Sequence, residues 1–304
     1  MARRRRGLPV DGVLLLDKPQ GISSNHALQR ARRLLQAQKA GHTGTLDPMA
    51  TGLLPVCLGE ATKFSSHLLE ADKVYRARVR LGEITATGDA EGEVIERRPV
   101  TVFDDTEIED VLARFRGEIE QVPPMYSALK HQGRPLYELA REGKTIERAP
   151  RRVTVYDTRL LERDEASFEL EVTCSKGTYI RTLAEDIGHA LECGAHITAL
   201  RRLKTGPFTD DAMLTLEALE ACDGQAEREA ALLPADVLVA HLPSFDVDDL
   251  SASRLLQGQQ ALTDTAGLSE DSPARLYRDG TFLGLVTVIA AGVIAPRRLV
   301  ASAH

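Results

Sequence analysis

The chain has 304 residues, a 43% hydrophobic fraction and a formal net charge of −7, which allows a large core and excludes a uniformly basic nucleic-acid binder. No run approaches the roughly 18 apolar residues needed to cross a bilayer, and Pro9, Asp11 and Asp17 interrupt the apolar stretch that a secretory leader would need after Arg3–Arg6. A soluble, cytoplasmic protein is expected. The charge is segregated, with 14 Lys and Arg against 6 Asp and Glu in residues 1–80, but 6 against 14 in residues 211–304. A polyanionic partner needs only a local cationic face, so RNA or DNA stays open.

In chain order, Val13 to Leu16 reads as a buried strand running into the turn Lys18-Pro19-Gln20-Gly21. Ser24 or Asn25 is placed to cap a helix through about Gln36. Leu53 to Leu58 reads as a second buried strand and Glu60 to Glu70 as a helix. Lys73 to Leu81 alternates, with Tyr75, Ala77, Val79 and Leu81 on one face and Arg76, Arg78 and Arg80 on the other. Helices follow at Thr106 to Phe115 and Pro135 to Glu142. Strands are expected at Arg152 to Leu161 and Ser167 to Cys174, a helix from Tyr179 to Leu191, and a strand from His196 to Leu203. This order lacks a βαβ rhythm and predicts an α+β fold with a mixed, largely antiparallel sheet. The character changes near Leu242 to Ser244, giving residues 1–243 as the main domain and 244–304 as a small β-rich one.

Cysteines 57, 174, 193 and 222 form no C-x-x-C pair and no zinc-finger spacing, so buried thiols and no metal site are expected. Gly41-His42-Thr43-Gly44-Thr45-Leu46-Asp47-Pro48-Met49-Ala50-Thr51-Gly52 is the stretch richest in chemistry. It lacks the G-K-[ST] of a phosphate-binding loop, which argues against a nucleotide hydrolase. Asp47-Pro48 alone reads as a helix start, with Asp as cap and Pro at the first helical position.

The whole stretch, continuing through Leu53 to Lys63, resembles the signature that surrounds the catalytic aspartate in the TruB family of pseudouridine synthases. Asp17 to Ser24 resembles that family's first motif, Lys73-Val74-Tyr75-Arg76 its tyrosine motif and Pro123 to Lys130 a later segment. Cys174 to Leu183 resembles its arginine motif, and Leu200-Arg201-Arg202-Leu203 follows in place. The resemblance spans about residues 10 to 220. Residues 244–304 resemble the family's PUA-type RNA-binding domain more weakly, and their acidity is a departure from an RNA-gripping surface.

The resemblance implies conversion of a uridine in the T-arm of tRNA, at position 55, to pseudouridine. The C1′–N1 bond is broken, the base rotated, and C5 joined to C1′; no cofactor or metal is called for. Asp47 is implied as nucleophile and Arg181 as its cationic partner, able to hold the carboxylate bidentately. Tyr75 is implied to stack on the flipped base and assist proton movement, with Tyr179 and Leu200 lining the pocket. His42 would support the extruded base or the disrupted loop. Lys18, Lys63 and Arg76 are candidates for phosphate contact or local support. A monomer without obligatory protein partner suffices for this chemistry. The rival readings are an RNA chaperone of the same fold and the guide-RNA-dependent branch of the superfamily.

Overall fold

The computed structural model describes residues 7–265 and 267–301; the Arg3–Arg6 run lies outside them. The strands in chain order are β1 (Gly12–Lys18), β2 (Ala40–His42), β3 (Thr51–Leu58), β4 (Lys73–Leu81), β5 (Glu83–Thr85), β6 (Val94–Arg97), β7 (Gly117–Gln121), β8 (Lys130–His131), β9 (Arg134–Pro135), β10 (Arg151–Arg163), β11 (Ser167–Cys174), β12 (Ala195–Thr205), β13 (Phe208–Thr209) and β14 (Leu214–Thr215). Interspersed are α1 (Ser24–Leu34), α2 (Ser65–Leu69), α3 (Asp105–Ala113), α4 (Leu136–Arg141), α5 (Ile180–Ala190), α6 (Leu216–Ala221) and α7 (Gln225–Ala230). The main sheet has ten strands, in the order β14-β1-β3-β12-β4-β11-β10-β7, with β2 beside β3 and β13 beside β12. Only β1 with β14 and β3 with β12 pair in parallel there. The fold is α+β with a mixed, largely antiparallel sheet.

A second sheet of five strands closes the chain. It contains β15 (Ser244–Asp246), β16 (Ala261–Leu262), β17 (Pro273–Arg278), β18 (Thr281–Ala290) and β19 (Val293–Leu299), with helix α8 (Asp249–Leu256) beside them. It is no loose appendage. Strands β1 and β3 are buried on both faces, which is why they read as unbroken apolar runs. Leu14, Leu16, Leu54, Val56 and Leu58 face α1 and α5 in one core. Val13, Leu15, Leu53 and Cys57, one residue out of phase, face a second core shared with Phe245, Leu276, Leu285 and Val286 of the terminal sheet. The Phe64 and Phe282 rings meet edge to face across that junction, 5.4 Å between centroids.

Two local expectations give way. The stretch from Glu60 to Glu70 is not one helix: a 3-10 turn, Gly59–Lys63, is followed by α2, with Phe64 at φ −111° between them. The fully buried Phe64 ring is drawn into the second core, and that packing overrides helical propensity. The cap of α1 is Ser23, which accepts from the His26 amide, and this leaves Ser24 for another task.

Candidate active site

No helix begins at Asp47-Pro48. The segment between β2 and β3 turns instead, with the Ala50 amide donating to the Asp47 carbonyl at 3.0 Å. The turn is held on both sides of the aspartate. Ser24 Oγ donates to the Leu46 carbonyl (2.9 Å) and accepts from the Leu46 amide (2.7 Å). On the other side, Pro48's carbonyl accepts from the Gly21 amide at 2.8 Å and from Lys18 Nζ at 3.3 Å. Lys18 is fully buried and donates also to the Pro19 and Ile22 carbonyls, at 2.8 and 2.7 Å. The stretch from Asp17 to Ser24 is therefore the cradle of the Asp47 turn. Arg201 ties that cradle to the sheet by a fork onto Asp17, 3.0 and 2.9 Å.

Arg181 comes from the first turn of α5. Gln121, at the end of β7, clamps residue 179 immediately before it: its Oε1 accepts from the Tyr179 amide (3.0 Å) and its Nε2 donates to the Tyr179 carbonyl (3.2 Å). Arg181 is 4% exposed, and its Nε lies 3.0 Å from Asp47 Oδ2. The contact is not bidentate. Nη1 donates to the Thr87 carbonyl at 2.8 Å and Nη2 to the Tyr126 carbonyl at 2.6 Å. A second carboxylate, Asp89, lies 3.7 Å from Nη1 and is 5% exposed.

Burial raises the Asp47 carboxyl above its usual range, Arg181 pulls it back, and Asp89 pushes it up again. Glu185, one turn along α5 from Arg181, is pushed up to about 7, by burial and against the pull of Arg181.

Asp47, Tyr75, Tyr179, Arg181 and Leu200 line one cleft of about 320 Å³. Its floor is formed by β4 and β12, where Tyr75 stands opposite Arg202 in register. Burial drives the Tyr75 phenol upward, and the Arg202 guanidinium beside it pulls the other way. Gly52 makes this close approach of strands workable: at φ +98°, a Cβ there would meet the Arg202 carbonyl oxygen at 2.3 Å.

The remaining candidates stand elsewhere. His42 on β2 is half-buried outside the cleft wall, its Nδ1 lacks a partner, and burial followed by Arg202 lowers its basicity. Lys63 pairs with Glu60 at 2.5 Å and donates to the Leu299 carbonyl at 2.8 Å, tying the main sheet to the terminal one. Arg76 is exposed on the opposite face of β4 from Tyr75 and makes no ion pair among the described residues. Its neighbours in the row are neutralised, Arg78 by Asp164 and Arg80 by Glu83.

Asp89, Gln121 and Glu185 are parts of the site that sequence reasoning did not single out, and Lys73 and Arg202 entered it only as members of motifs, without a role. Asp89 sits in a polar turn and Gln121 at a strand end, positions whose pattern carries no sign of a partner far along the chain.

Among the described residues no helix is long and apolar enough to span a membrane. Residues 32–180 match the TruB family pseudouridylate synthase N-terminal domain. Residues 181–240 match the tRNA pseudouridylate synthase B C-terminal domain, and 243–300 the pseudouridine synthase II TruB C-terminal region. The tRNA pseudouridine synthase B of Chromohalobacter salexigens is 70% identical over 303 residues, covering 100% of this chain and 98% of that one. That of Chromobacterium violaceum is 56% identical over 295 residues, covering 96% and 95%. Among solved structures, a Cbf5-Nop10-Gar1 complex contains a chain similar at 28% identity and a TM-score of 0.69, over 96% of this chain and 85% of that one. An archaeal box H/ACA sRNP Nop10-Cbf5 complex contains another at 25% and 0.69, over 98% and 92%. With three family models in succession along the chain and 70% identity to a relative over its whole length, the chain belongs to the TruB family of pseudouridylate synthases.

Proposed function

We propose that this chain isomerises a uridine of tRNA to pseudouridine, at position 55 in the T-arm, with Asp47 as nucleophile. The observation that carries the reading is the Asp47–Arg181 contact at the mouth of a cleft that also holds Tyr75, Tyr179 and Leu200. A volume of about 320 Å³ is at the small end of ligand sites and suits one extruded nucleoside. Burial raises the Asp47 pKa and Arg181 opposes that rise, so the arginine favours the carboxylate form. It acts at the ribose carbon or the ring as the C1′–N1 bond breaks; rejoining through C5 then transfers one proton from C5 to N1, and nothing is oxidised. Tyr75 faces the base from the floor and assists that proton transfer.

The tRNA substrate is supported by the relatives' identity over the whole chain. That same identity favours a stand-alone enzyme over a guide-dependent subunit, and we assign the chain to the cytoplasm as a monomer. Residues 1–243 form the catalytic unit and 244–304 a PUA-like unit. The test is tritium release from C5-labelled uridine in an unmodified tRNA transcript, comparing wild type with Asp47→Asn while RNA binding is followed in parallel. Release by wild type alone, with binding kept by both, supports the reading. Equal release by both moves the chemistry off Asp47, and binding without release by either favours an RNA chaperone.

A further inference from the structure

Four cations line the cleft, and they differ in what balances them: Lys176 is paired with Glu70. Arg181 faces Asp47 and Asp89. Lys73 and Arg202 form no ion pair among the described residues, although they are only 6% and 1% exposed. Lys73 Nζ donates to the carbonyls of Leu69 (3.0 Å) and Ala71. Arg202 donates to those of Leu53 (2.7 Å) and Gly44 (3.3 Å), the two flanks of the Asp47 turn. The carboxylates that act on Lys73 at longer range, Asp72 and Glu70, are engaged by Tyr156 and Lys176. Lys73 and Tyr75 are two apart on β4 and share its face, and Arg202 stands opposite Tyr75. The cleft floor thus runs cation, phenol, cation.

Carbonyl dipoles solvate a buried cation but leave its charge uncancelled. The strain is visible at Lys73, whose ammonium is pushed down to about 8 by burial and then by Arg202. Such a field is matched by a negative charge that arrives or develops in the cleft. The reaction generates one. When C1′–N1 breaks and the electron pair stays with N1, the uracil becomes an anion with charge spread over N1 and its carbonyl oxygens.

We propose that Lys73 and Arg202 form an anion subsite that holds the negative charge of the uracil as it leaves C1′. The inference rests on the pseudouridine-forming reading above. No proton moves in this step: the bonding pair goes to the base, and the electron-poor C1′ is met by the Asp47 carboxylate. Arg181 serves the ribose side and the Lys73–Arg202 pair the base side. When C5 bonds to C1′ the Asp47–C1′ bond breaks and its electron pair returns to the carboxylate; the ring charge is consumed, and the C5 proton then passes to N1.

A backbone phosphate of the RNA would satisfy the same two cations, so the test separates the two anions. Lys73→Gln and Arg202→Gln remove charge but keep N–H donors. Each is assayed at saturating tRNA transcript, in single turnover, with uridine or 5-fluorouridine at the target; 5-fluorouracil departs as the more stable anion. Loss of uridine is expected to slow by about tenfold or more, with RNA affinity within about threefold of wild type. The deficit should be at least about threefold smaller with 5-fluorouridine. Equal deficits on both substrates overturn the proposal. So does weakened binding with a shallower salt dependence and an unchanged rate, which would hand the cations to a phosphate.

If Arg202→Gln fails to fold, Lys73→Gln decides by the same comparison of the two substrates. Inactivity of the wild type itself would instead sink the functional reading.

Discussion

Arg181 Nε stands 3.0 Å from Asp47 Oδ2, yet the aspartate receives only one of the three guanidinium nitrogens. The other two are spent on the carbonyls of Thr87 and Tyr126, so the arginine is fixed by the backbone before it meets the carboxylate. Two of its three nitrogens are thus held independently of Asp47, which keeps the arginine preorganised beside the carboxylate.

Arg181→Met is expected to cost about 3–5 kcal/mol of stability, because Asp47 and Asp89 would be left as uncompensated carboxylates. Arg181→Lys should recover part of that stability but not activity, since an ammonium cannot reach Asp47 and both carbonyls at once. Urea unfolding of the two variants beside their single-turnover rates checks both statements; a fully active Arg181→Lys would contradict them.

Lys18→Met separates support of the turn from phosphate contact. The buried ammonium serves the carbonyls of Pro19, Ile22 and Pro48, so its loss should destabilise the fold by about 2 kcal/mol or more. It should also slow chemistry by about tenfold or more as Pro48 and Asp47 shift. The slope of log Kd for tRNA against log salt should stay as in wild type. A shallower slope, by about one unit, would mean that Lys18 meets a phosphate after all.

Glu185 gives a pH signature. Its folded pKa is raised to about 7 from the ordinary glutamate value of 4.5, so the folded state binds the proton more tightly than the unfolded chain. Stability from this group is complete below about 4.5 and is lost as pH rises toward 7. Glu185→Gln should therefore match wild type near pH 4.5 and exceed it by about 1–2 kcal/mol at pH 8, allowing for partial exposure. Denaturant midpoints at the two pH values measure the difference, and a gap that closes with rising pH would reverse the assignment.

The shared second core predicts one cooperative unit. Phe64 is fully buried, and its ring packs against Phe282 of the terminal sheet. Phe64→Ala should cost about 3–5 kcal/mol and lower a single melting transition. Two separated transitions in calorimetry, with only one of them moved, would show that the sheets unfold independently.

The sequence by itself determined most of the elements and pointed to Asp47 as the candidate reacting group. Period-two alternation at Lys73 to Leu81 is a local property, and it placed Tyr75 and the arginine row on opposite faces of β4 correctly. The run from Gly41 to Gly52 singled out Asp47 through its resemblance to the TruB signature, whereas Asp47-Pro48 alone read as a helix start. Tertiary structure decided what surrounds that carboxylate. Asp47 caps no helix because Ser24, Gly21 and Lys18 hold its neighbours in a turn, and each of these contacts joins residues far apart in the chain. Lys18 read equally as a phosphate contact or as local support, and its burial among three carbonyls favours support, since charge alone does not reveal which carbonyls converge on an ammonium. Asp89 and Gln121 carry no local pattern at all, and they join the site through contacts with Arg181 and Tyr179 far along the chain. Arg202 joins it because β12 lies between β3 and β4, a neighbourhood set by the packing of two cores on one sheet.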